Sequence, residues 1–492
     1  MFRDADFAAD QTLPASADQL THDLDLGTLF VAMASGDELI GRASRVALLN
    51  GLDAPDNIIY RQHVLADCFK NPDLVREIYG MAVSAVQDQK RMFWFASHGS
   101  PTGLMSQSPQ VIGMYMQYLK RLRALVDEHA AKFDSEGWTT LFEVLKRDLS
   151  DDYFRLIDDH LRQLKFRDGM LISARLSFGN TGLDYTLRDS GGARQTLVER
   201  LRVGGRKSYS FDIPPRDEAG SKALGDLLNR GVNTAANSLA QAADHLADFF
   251  IMLRTELAFY VGCLNLSERL SQIEEPTCVP QPREWMPSSL NFSGLYDVCL
   301  SLRNTQRVVG NDANADGRSL VVITGANSGG KSTFLRSVGI ATLMMRSGMF
   351  VAAETFEAST CEGVFTHFIR EEDASMNSGK LDEELARMSA IADEVSPRCL
   401  VLFNESFSAT NEREGSEIAR QVLQALLDSD IRAVVVTHLF DLADYFYLKA
   451  PDTTLFLQAG RESEVGRTFK LLTGRPLPTS FAEDIYERIG GW

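Results

Sequence analysis

The pattern of apolar and polar positions changes along the chain and divides it into segments. In residues 21–168 apolar side chains recur at helical spacing, which predicts a helical core domain after an N-terminal tail of residues 1–20. In residues 169–215 apolar and polar positions alternate in the runs LISARLSF and LDYTLRD, which are separated by GNTG. This alternation predicts a small β insert with a turn.

A long helical segment follows the β insert. No proline occurs between Arg216 and Glu275, and apolar residues recur at helical spacing from Leu239 to Leu257. Residues 216–288 are therefore predicted to contain one long helix, or two in line, and a continuous helix of about fifty residues would span roughly 75 Å. Two interpretations stay open: a helical bundle with a turn near Gly231, and a lever that carries motion between distant sites.

Residues 289–492 show a pattern typical of an α/β domain. The apolar runs SLVVITG, CLVLFNE, RAVVVTH and TTLFLQ predict strands, and amphipathic helices alternate with them. Strands that are apolar throughout are covered on both faces, which indicates a mainly parallel sheet. The predicted fold class is therefore an α/β domain with a mainly parallel sheet, preceded by a mostly helical region with a small β insert.

The charge of the chain limits how it can contact nucleic acid. With a formal net charge of −17 and a pI near 5.0, the average surface repels phosphate backbones, so any such contact must be local. The window RQTLVERLRVGGRK opposes one acid, Glu199, with the basic residues Arg194, Arg200, Arg202, Arg206 and Lys207. A DNA contact and a solvated turn between strands are both consistent with this window.

The sequence predicts neither a targeting signal nor a membrane span. Its first residues are polar and acidic, so we expect no secretory signal, and no apolar run approaches the length of about eighteen residues that a membrane span needs. The six cysteines are scattered without a C-x-x-C pair, so neither a disulfide framework nor a zinc site is indicated. We therefore expect a cytoplasmic protein with reduced thiols and no membrane partner.

The stretch GANSGGKS, residues 325–332, fits the phosphate-loop pattern G-x-x-x-x-G-K-[ST] between a predicted strand and a predicted helix. Glycines let backbone N–H groups close around phosphates, Lys331 reaches the terminal phosphates, and the Ser332 hydroxyl ligates Mg²⁺. The stretch predicts binding of ATP with Mg²⁺. The candidate binding residues are Gly325, Ala326, Asn327, Ser328, Gly329, Gly330, Lys331, Ser332 and Thr333.

The exact residues of this loop indicate one particular family of ATPases. ITGANSGGKSTFLRSVG closely resembles the T-G-P-N-x-G-G-K-S-T loop of the MutS-type ATPases, relatives of the ABC ATPases, with Ala326 in place of proline. VVGND, with Asn311, looks like the loop that lies against the base in that family. FNESFSATNEREGSEIA is similar to its catalytic glutamate and dimer-interface loop, and VVTHLFDLADYF to its Thr-His switch. The resemblance implies an ATPase that works as a homodimer through composite sites, with Glu405 and His438 as catalytic residues.

The resemblance also covers the helical part, but with lower specificity. RQHVLADCFKNPDL and EEPTCVP resemble the core and lever of the family. Members that read mismatches carry two further N-terminal domains with a Phe-x-Glu wedge, whereas Phe-x-Glu occurs here only in the predicted ATPase domain. We therefore expect a role other than mismatch reading.

In the segment EEDASMNSGKLDEELARM, Ser378 is the candidate for the residue that reaches the γ-phosphate of the partner subunit in this family. The alternative is a plain N-cap before an acidic first turn.

The run LVLFNESF departs from the pattern of P-loop ATPases, because Asn404 stands where an aspartate normally helps to hold Mg²⁺. Asn404 keeps an acceptor oxygen but lacks the negative charge, so Mg²⁺ binding should be weakened. Glu405 and His438 remain, so slow hydrolysis is expected. The alternative is a degenerate site that binds nucleotide without turning it over.

Two hypotheses for the function follow. In the first, ATP closes a dimer and the lever helices transmit that closure to a clamp that embraces DNA. In the second, the protein is a nucleotide-gated scaffold whose partner is another protein. An ABC transporter ATPase is disfavoured by the long helical region and by the lack of an L-S-G-G-Q motif.

Overall fold

A computed structural model of the chain describes most of its residues. The residues outside the description are 95–99, 167–169, 181, 189–211, 215, 287, 326–328, 370–378, 460–467 and 477–492. The described residues are rich in helix and form two compact units. The first unit contains Met1–Val75, Asp134–Trp138 and the described residues from Thr255 onward. The second contains Arg76–Phe133 and the described residues between Thr139 and Arg254.

Helices dominate the first third of the chain. They are α1 (Ala17–Asp23), α2 (Leu26–Ala34), α3 (Glu38–Asn50), α4 (Pro55–Lys70), α5 (Pro72–Trp94), α6 (Pro101–His129), α7 (Glu136–Asp148) and α8 (Asp151–Gln163). Their starts follow local rules: the Asp37 carboxylate accepts hydrogen bonds from the first amides of α3, and Ser100 caps α6 ahead of a proline. In the segment predicted as a tail, Met1 and Phe7 are buried.

The β insert and the long helix follow. Strands β1 (Leu171–Leu176) and β2 (Gly182–Arg188) form an antiparallel pair. Helix α9 (Glu218–Gln272) has 55 residues, which corresponds to about 80 Å, and it continues through Gly231 without a turn. The basic stretch of residues 194–207, for which a DNA contact and a solvated turn were both open, lies outside the described residues.

Helix α9 is long and apolar enough to cross a membrane by length and composition alone. Its most apolar 18-residue window has a mean hydropathy of 1.4, but 72% of that window is buried inside the protein. Burial to this extent is what the core helix of a folded domain shows, and it leaves little apolar surface to face lipid.

The remainder of the described chain alternates strands and helices. Its strands are β3 (Gln281–Arg283), β4 (Leu290–Leu295), β5 (Asn311–Asn314), β6 (Leu320–Gly325), β7 (Thr355–Ser359), β8 (Val364–Phe368), β9 (Leu400–Asn404), β10 (Arg432–Val436), β11 (Thr454–Ala459) and β12 (Leu471–Thr473). Its helices are α10 (Val298–Asn304), α11 (Lys331–Arg346), α12 (Lys380–Glu394), α13 (Glu412–Asp428) and α14 (Phe440–Lys449).

Six of these strands form one sheet in the order β12-β11-β6-β10-β9-β8. All its neighbours are parallel except the edge strand β12, and β10 is central, with Val434 paired to Val321 on one side and to Leu402 on the other. A second sheet, β3-β7-β4-β5, is mixed. The prediction of an α/β fold with parallel strands is confirmed at this level.

The parallel order explains where polar residues of this unit meet. Every residue of β6 is buried, as expected for a central strand covered on both faces. The strands β6, β10 and β9 lie side by side and point the same way, so their carboxyl ends share one edge of the sheet. Ligands of open α/β sheets bind outside this edge, and the candidate residues follow these strands directly.

Candidate functional site

A cleft of about 540 Å³ opens at the carboxyl edge of the six-stranded sheet. One wall comes from α10 and the loop before β5, and the other from the start of α11, with Glu405 and Phe469 at its sides. Five predicted binding residues of the loop and helix line it: Gly329, Gly330, Lys331, Ser332 and Thr333. The structure thus places these residues together in one concave surface of a size suited to a small ligand.

The backbone between β6 and α11 requires glycine at two positions. Gly325 has a φ of 114° and Gly330 a φ of 90°, in the left-handed region that only glycine enters readily. A Cβ atom on Gly325 would also lie 2.9 Å from the Ala459 nitrogen. These glycines allow the chain to turn sharply into α11, whose N-terminal end favours an anion. The predicted binding residues Ala326, Asn327 and Ser328 lie outside the described residues.

Lys331 is the first residue of α11, and its side chain is almost completely buried. Its Nζ donates a hydrogen bond to the Gly325 carbonyl over 2.8 Å and lies 3.8 Å from Glu405 Oε1. Burial lowers the pKa of this lysine, although the Glu405 carboxylate opposes that effect. The ammonium group therefore lies in the lining of the cleft, between the Gly325 carbonyl and the Glu405 carboxylate.

The two predicted metal ligands contact each other. The Ser332 hydroxyl donates a hydrogen bond to Asn404 Oδ1 over 2.8 Å, so the start of α11 and the end of β9 are joined by two uncharged oxygens. Mg²⁺ prefers oxygen ligands and usually takes several from water and substrate phosphates, which this pair fits. Among the described residues, no group of three or more His, Cys, Asp or Glu side chains is placed to hold a metal ion.

Glu405 follows β9 and lies between Lys331 and His438. His438 Nδ1 lies 2.5 Å from Glu405 Oε2, while Lys331 approaches the other oxygen. Burial alone would raise the pKa of Glu405, but the hydrogen bond from His438 and the two positive charges outweigh it, so that pKa lies below its usual value. The same hydrogen bond raises the pKa of His438. The pair therefore favours an ionised carboxylate beside an imidazolium.

Asn311 lines the cleft, and its side chain also makes two hydrogen bonds that the sequence motif did not indicate. Its side chain donates to the Phe469 carbonyl over 3.2 Å and accepts from the Leu471 amide over 2.7 Å. It thereby fixes the segment that enters β12 against β5. Val308, Val309 and Phe469 add apolar side chains to the lining of the cleft, which suit a planar ring better than a phosphate.

Two buried polar residues beside Glu405 were missed by sequence reasoning. Glu384 in α12 accepts a hydrogen bond from the Phe407 amide, and His367 in β8 contacts Ser406. His367 ends the apolar run VFTH, so its place at the carboxyl edge beside β9 was the available signal; Glu384 offered none. Ser378, the candidate for contact across a dimer, lies outside the described residues.

Two parts of the chain match known protein families. Residues 53–273 match the family described as MutS2 N-terminal domain, and residues 321–471 match the family described as MutS domain V. Together these two matches cover most of the chain.

Similar proteins include three bacterial relatives. Endonuclease MutS2 of Thermus thermophilus is 33% identical over 375 residues, which cover 69% of this chain and 44% of that protein. Endonuclease MutS2 of Listeria innocua is 31% identical over 191 residues, or 38% of this chain and 24% of that protein. The putative endonuclease MutS2 of Bacillus subtilis is 32% identical over 187 residues, which cover 37% of this chain and 23% of that protein. The matches therefore span less than half the length of these relatives.

Proposed function

Because the chain belongs to the MutS family, we propose that the cleft at the carboxyl edge of its six-stranded sheet binds ATP with Mg²⁺ and hydrolyses the ATP slowly. The observation that carries this proposal is the convergence of Lys331, Glu405 and His438 with the Ser332 and Asn404 pair. A cation, a carboxylate and two oxygen ligands lie where the strands end. The experiment that tests it is steady-state phosphate release from ATP by the purified chain.

The lining of the cleft offers contacts for both the phosphates and the base of ATP. Phosphates would occupy the N-terminal end of α11, where the positive end of the helix dipole and Lys331 favour negative charge. The base would lie against the apolar side chains of Val308, Val309 and Phe469. ATP combines these two chemical features in one molecule of about the right size for the cleft.

In the proposed reaction, a water molecule attacks the γ-phosphorus and the bond to the leaving oxygen of ADP breaks. The Glu405 carboxylate orients the water and takes its proton, a role for which its lowered pKa keeps it ionised. Ser332 and Asn404 would hold Mg²⁺, which supplies charge neutralisation at the phosphate oxygens. Since Asn404 lacks a charge, weak Mg²⁺ binding accounts for slow turnover.

We extend the proposal to DNA because of the names of the relatives. The proteins of Thermus and Listeria are named endonucleases, and the family to which the chain belongs is described as MutS. We propose that ATP closes a homodimer and that α9 transmits this closure to a DNA-contacting segment. The 55 residues of α9 belong partly to the unit with the cleft and partly to the other unit, which is the connection such a lever needs.

A nucleotide-gated scaffold that binds a protein is the second candidate. It is favoured by the net charge of −17, which opposes DNA binding, and by the uncharged Asn404. DNA dependence of the ATPase rate separates the two candidates. Stimulation or inhibition by duplex or branched DNA supports the first, whereas a rate that ignores DNA and responds to a protein partner supports the second.

Asn404→Asp is expected to lower the Mg²⁺ concentration for half-maximal ATPase activity. The aspartate still accepts the Ser332 hydrogen bond and adds a negative charge beside the cation; two unit charges 4 Å apart interact by about 4 kcal/mol at an effective ε of 20. The measurement is phosphate release against Mg²⁺ concentration at fixed ATP for wild type, Asn404→Asp and Asn404→Ala. A folded, active aspartate variant with the wild-type curve contradicts the assignment of Asn404.

DNA binding is expected to be weak and to fall steeply with salt, because a local basic stretch on an acidic protein contacts few phosphates. Fluorescence anisotropy with duplex, branched and single-stranded DNA at low and moderate salt, in the apo, ADP and ATP-analogue states, measures it. Charge reversal of Arg200, Arg202 and Arg206 should abolish it.

Reversal of Arg147, Arg155 and Arg162, which are exposed on α7 and α8, makes the same change in net charge elsewhere and serves as the control. Absence of binding in every nucleotide state at low salt rules out the DNA role and leaves the scaffold.

A further inference from the structure

The turn that carries Glu405 has an unusual backbone. Glu405 has a φ of 55° and Phe407 a φ of 60°, so two residues with side chains adopt the left-handed conformation within three positions. Such residues are disfavoured by contact of the Cβ with the backbone, and they persist only where surrounding structure holds them. The direction of the Glu405 carboxylate depends on what holds this turn.

Several contacts hold the first half of the turn. The Glu405 amide donates to the Val436 carbonyl over 2.9 Å, and the Ser408 hydroxyl donates to the Glu405 carbonyl over 2.7 Å. Helix α13 packs closely on it, since a Cβ on Gly415 would lie 2.3 Å from the Phe407 oxygen. These contacts fix Glu405 from the sheet side and Phe407 from one helix.

Helix α12 holds the second half. The Phe407 amide, which is buried, donates to Glu384 Oε2 over 2.5 Å, and Glu384 itself is only 2% exposed. The other carboxyl oxygen of Glu384, Oε1, has no hydrogen-bond partner among the described residues. Within that part of the chain, the carboxyl group therefore accepts its hydrogen bond from the Phe407 amide alone. A buried carboxyl group aimed at one backbone amide indicates that this hydrogen bond matters for the position of the turn.

A histidine completes the connection between α12 and the turn. His367 Nε2 lies 3.0 Å from the Glu384 carbonyl, Nδ1 lies 2.7 Å from the Ser406 hydroxyl, and the ring stacks on Phe407 at 5.2 Å. Burial lowers the pKa of His367 to about 4, so the ring is neutral near pH 7. Nε2 must then carry the proton, because it faces a carbonyl oxygen. The turn is thereby connected to α12 twice: directly from the Phe407 amide to the Glu384 carboxyl group, and from Ser406 through His367 to the Glu384 carbonyl.

We propose that Glu384 is a positioning residue for catalysis: its carboxyl oxygen fixes the Phe407 amide, keeps the turn in its left-handed conformation and so aims the Glu405 carboxylate into the cleft. This inference rests on the proposed function of Glu405. Glu384 lies one turn into α12, so movement of the first turn of this helix withdraws the acceptor and releases the turn. Control of the orientation of Glu405 therefore lies outside the nucleotide cleft, at the start of α12.

The test compares side chains of similar size with and without an acceptor. Glu384→Met removes the acceptor at nearly constant length, and Glu384→Gln retains one. We expect Glu384→Met to lower kcat by on the order of a hundredfold, the loss typical of a misaligned catalytic group, with unchanged affinity for a non-hydrolysable ATP analogue. Glu384→Gln should retain most of the wild-type kcat. Phosphate release, analogue titration and thermal unfolding provide the three readouts.

Met388→Ala is the matched control, because Met388 lies one turn further along α12 and is buried in the same core cluster as Phe407, but it carries no carboxyl or amide oxygen that could accept a hydrogen bond from the turn. It should lower the unfolding temperature and leave kcat unchanged. The inference is overturned if Glu384→Met keeps the wild-type kcat, if Glu384→Gln loses as much as Glu384→Met, or if Met388→Ala reduces kcat in parallel.

Two outcomes need separate treatment. If Glu384→Met does not fold, Glu384→Asp replaces it: its carboxylate is one methylene too short to reach the amide, so kcat should fall while a wild-type kcat overturns the inference. If the wild-type chain itself releases no phosphate from Mg²⁺-ATP, the proposed function fails and the inference fails with it. A hydrolysing wild type with unaffected Glu384 variants overturns the inference alone.

Discussion

Glu405→Gln is expected to lower ATP turnover by roughly 10²- to 10⁴-fold, the range over which a general base contributes. The glutamine has almost the same shape and can still occupy the place between His438 and Lys331, but it cannot take a proton from water. ATP binding should persist, because in the proposed site the phosphate contacts come from Lys331 and the start of α11. Steady-state phosphate release and titration with labelled ATP measure the two effects separately.

Glu417→Gln is the control for this change. Glu417 is an exposed glutamate of α13 that pairs with Arg420 on the surface, so the same chemical substitution should leave turnover unchanged. We also expect Glu405→Gln to accumulate an ATP-bound dimer, which size-exclusion chromatography with light scattering detects. Turnover at the wild-type rate would assign the catalytic role to another residue.

The parallel strands and the residues that follow them could be predicted because local sequence determines both. Runs such as VVITG and LVLFN are apolar throughout, and this pattern indicates a buried parallel strand. Once the strands are parallel, the residues after β6, β9 and β10 must meet at one edge. The contact of Ser332 with Asn404 and the approach of Glu405 to Lys331 follow from this geometry.

Other features depend on pairings between distant segments and have no local signal. Glu384 reads as part of an acidic first turn, and only the packing of α12 against the turn after β9 places its carboxyl group on the Phe407 amide. The bonds of Asn311 to residues 469–471 arise in the same way, because β5 and the start of β12 belong to different sheets and come together only when both sheets have folded.

The first residues illustrate a similar limit. Their polar, acidic composition predicts a tail, yet Met1 and Phe7 are buried and the Phe7 amide donates to the Glu256 carboxylate. The composition describes the average of the segment. The burial of Met1 and Phe7 depends instead on residues far along the chain, such as Glu256, which local sequence does not reveal.

Lys331→Ala is expected to weaken ATP binding by roughly tenfold to hundredfold, which corresponds to the loss of one hydrogen bond to a charged group of about 1.5–3 kcal/mol. The fold should persist. Burial already lowers the pKa of Lys331, which means that the folded protein disfavours its charge, so removal of the ammonium group relieves this penalty and offsets the loss of the bond to the Gly325 carbonyl and of the approach to Glu405. Titration with labelled ATP and thermal unfolding measure the two quantities.

Lys449→Ala is the control for this substitution, because Lys449 is exposed at the end of α14 and its removal changes the net charge by the same amount. Its affinity for ATP should equal that of the wild type. A nonspecific loss of positive charge would weaken both variants alike, whereas a phosphate contact weakens only Lys331→Ala. If Lys331→Ala binds labelled ATP as tightly as the wild type, the phosphates do not lie at the start of α11, and the cleft is not the nucleotide site.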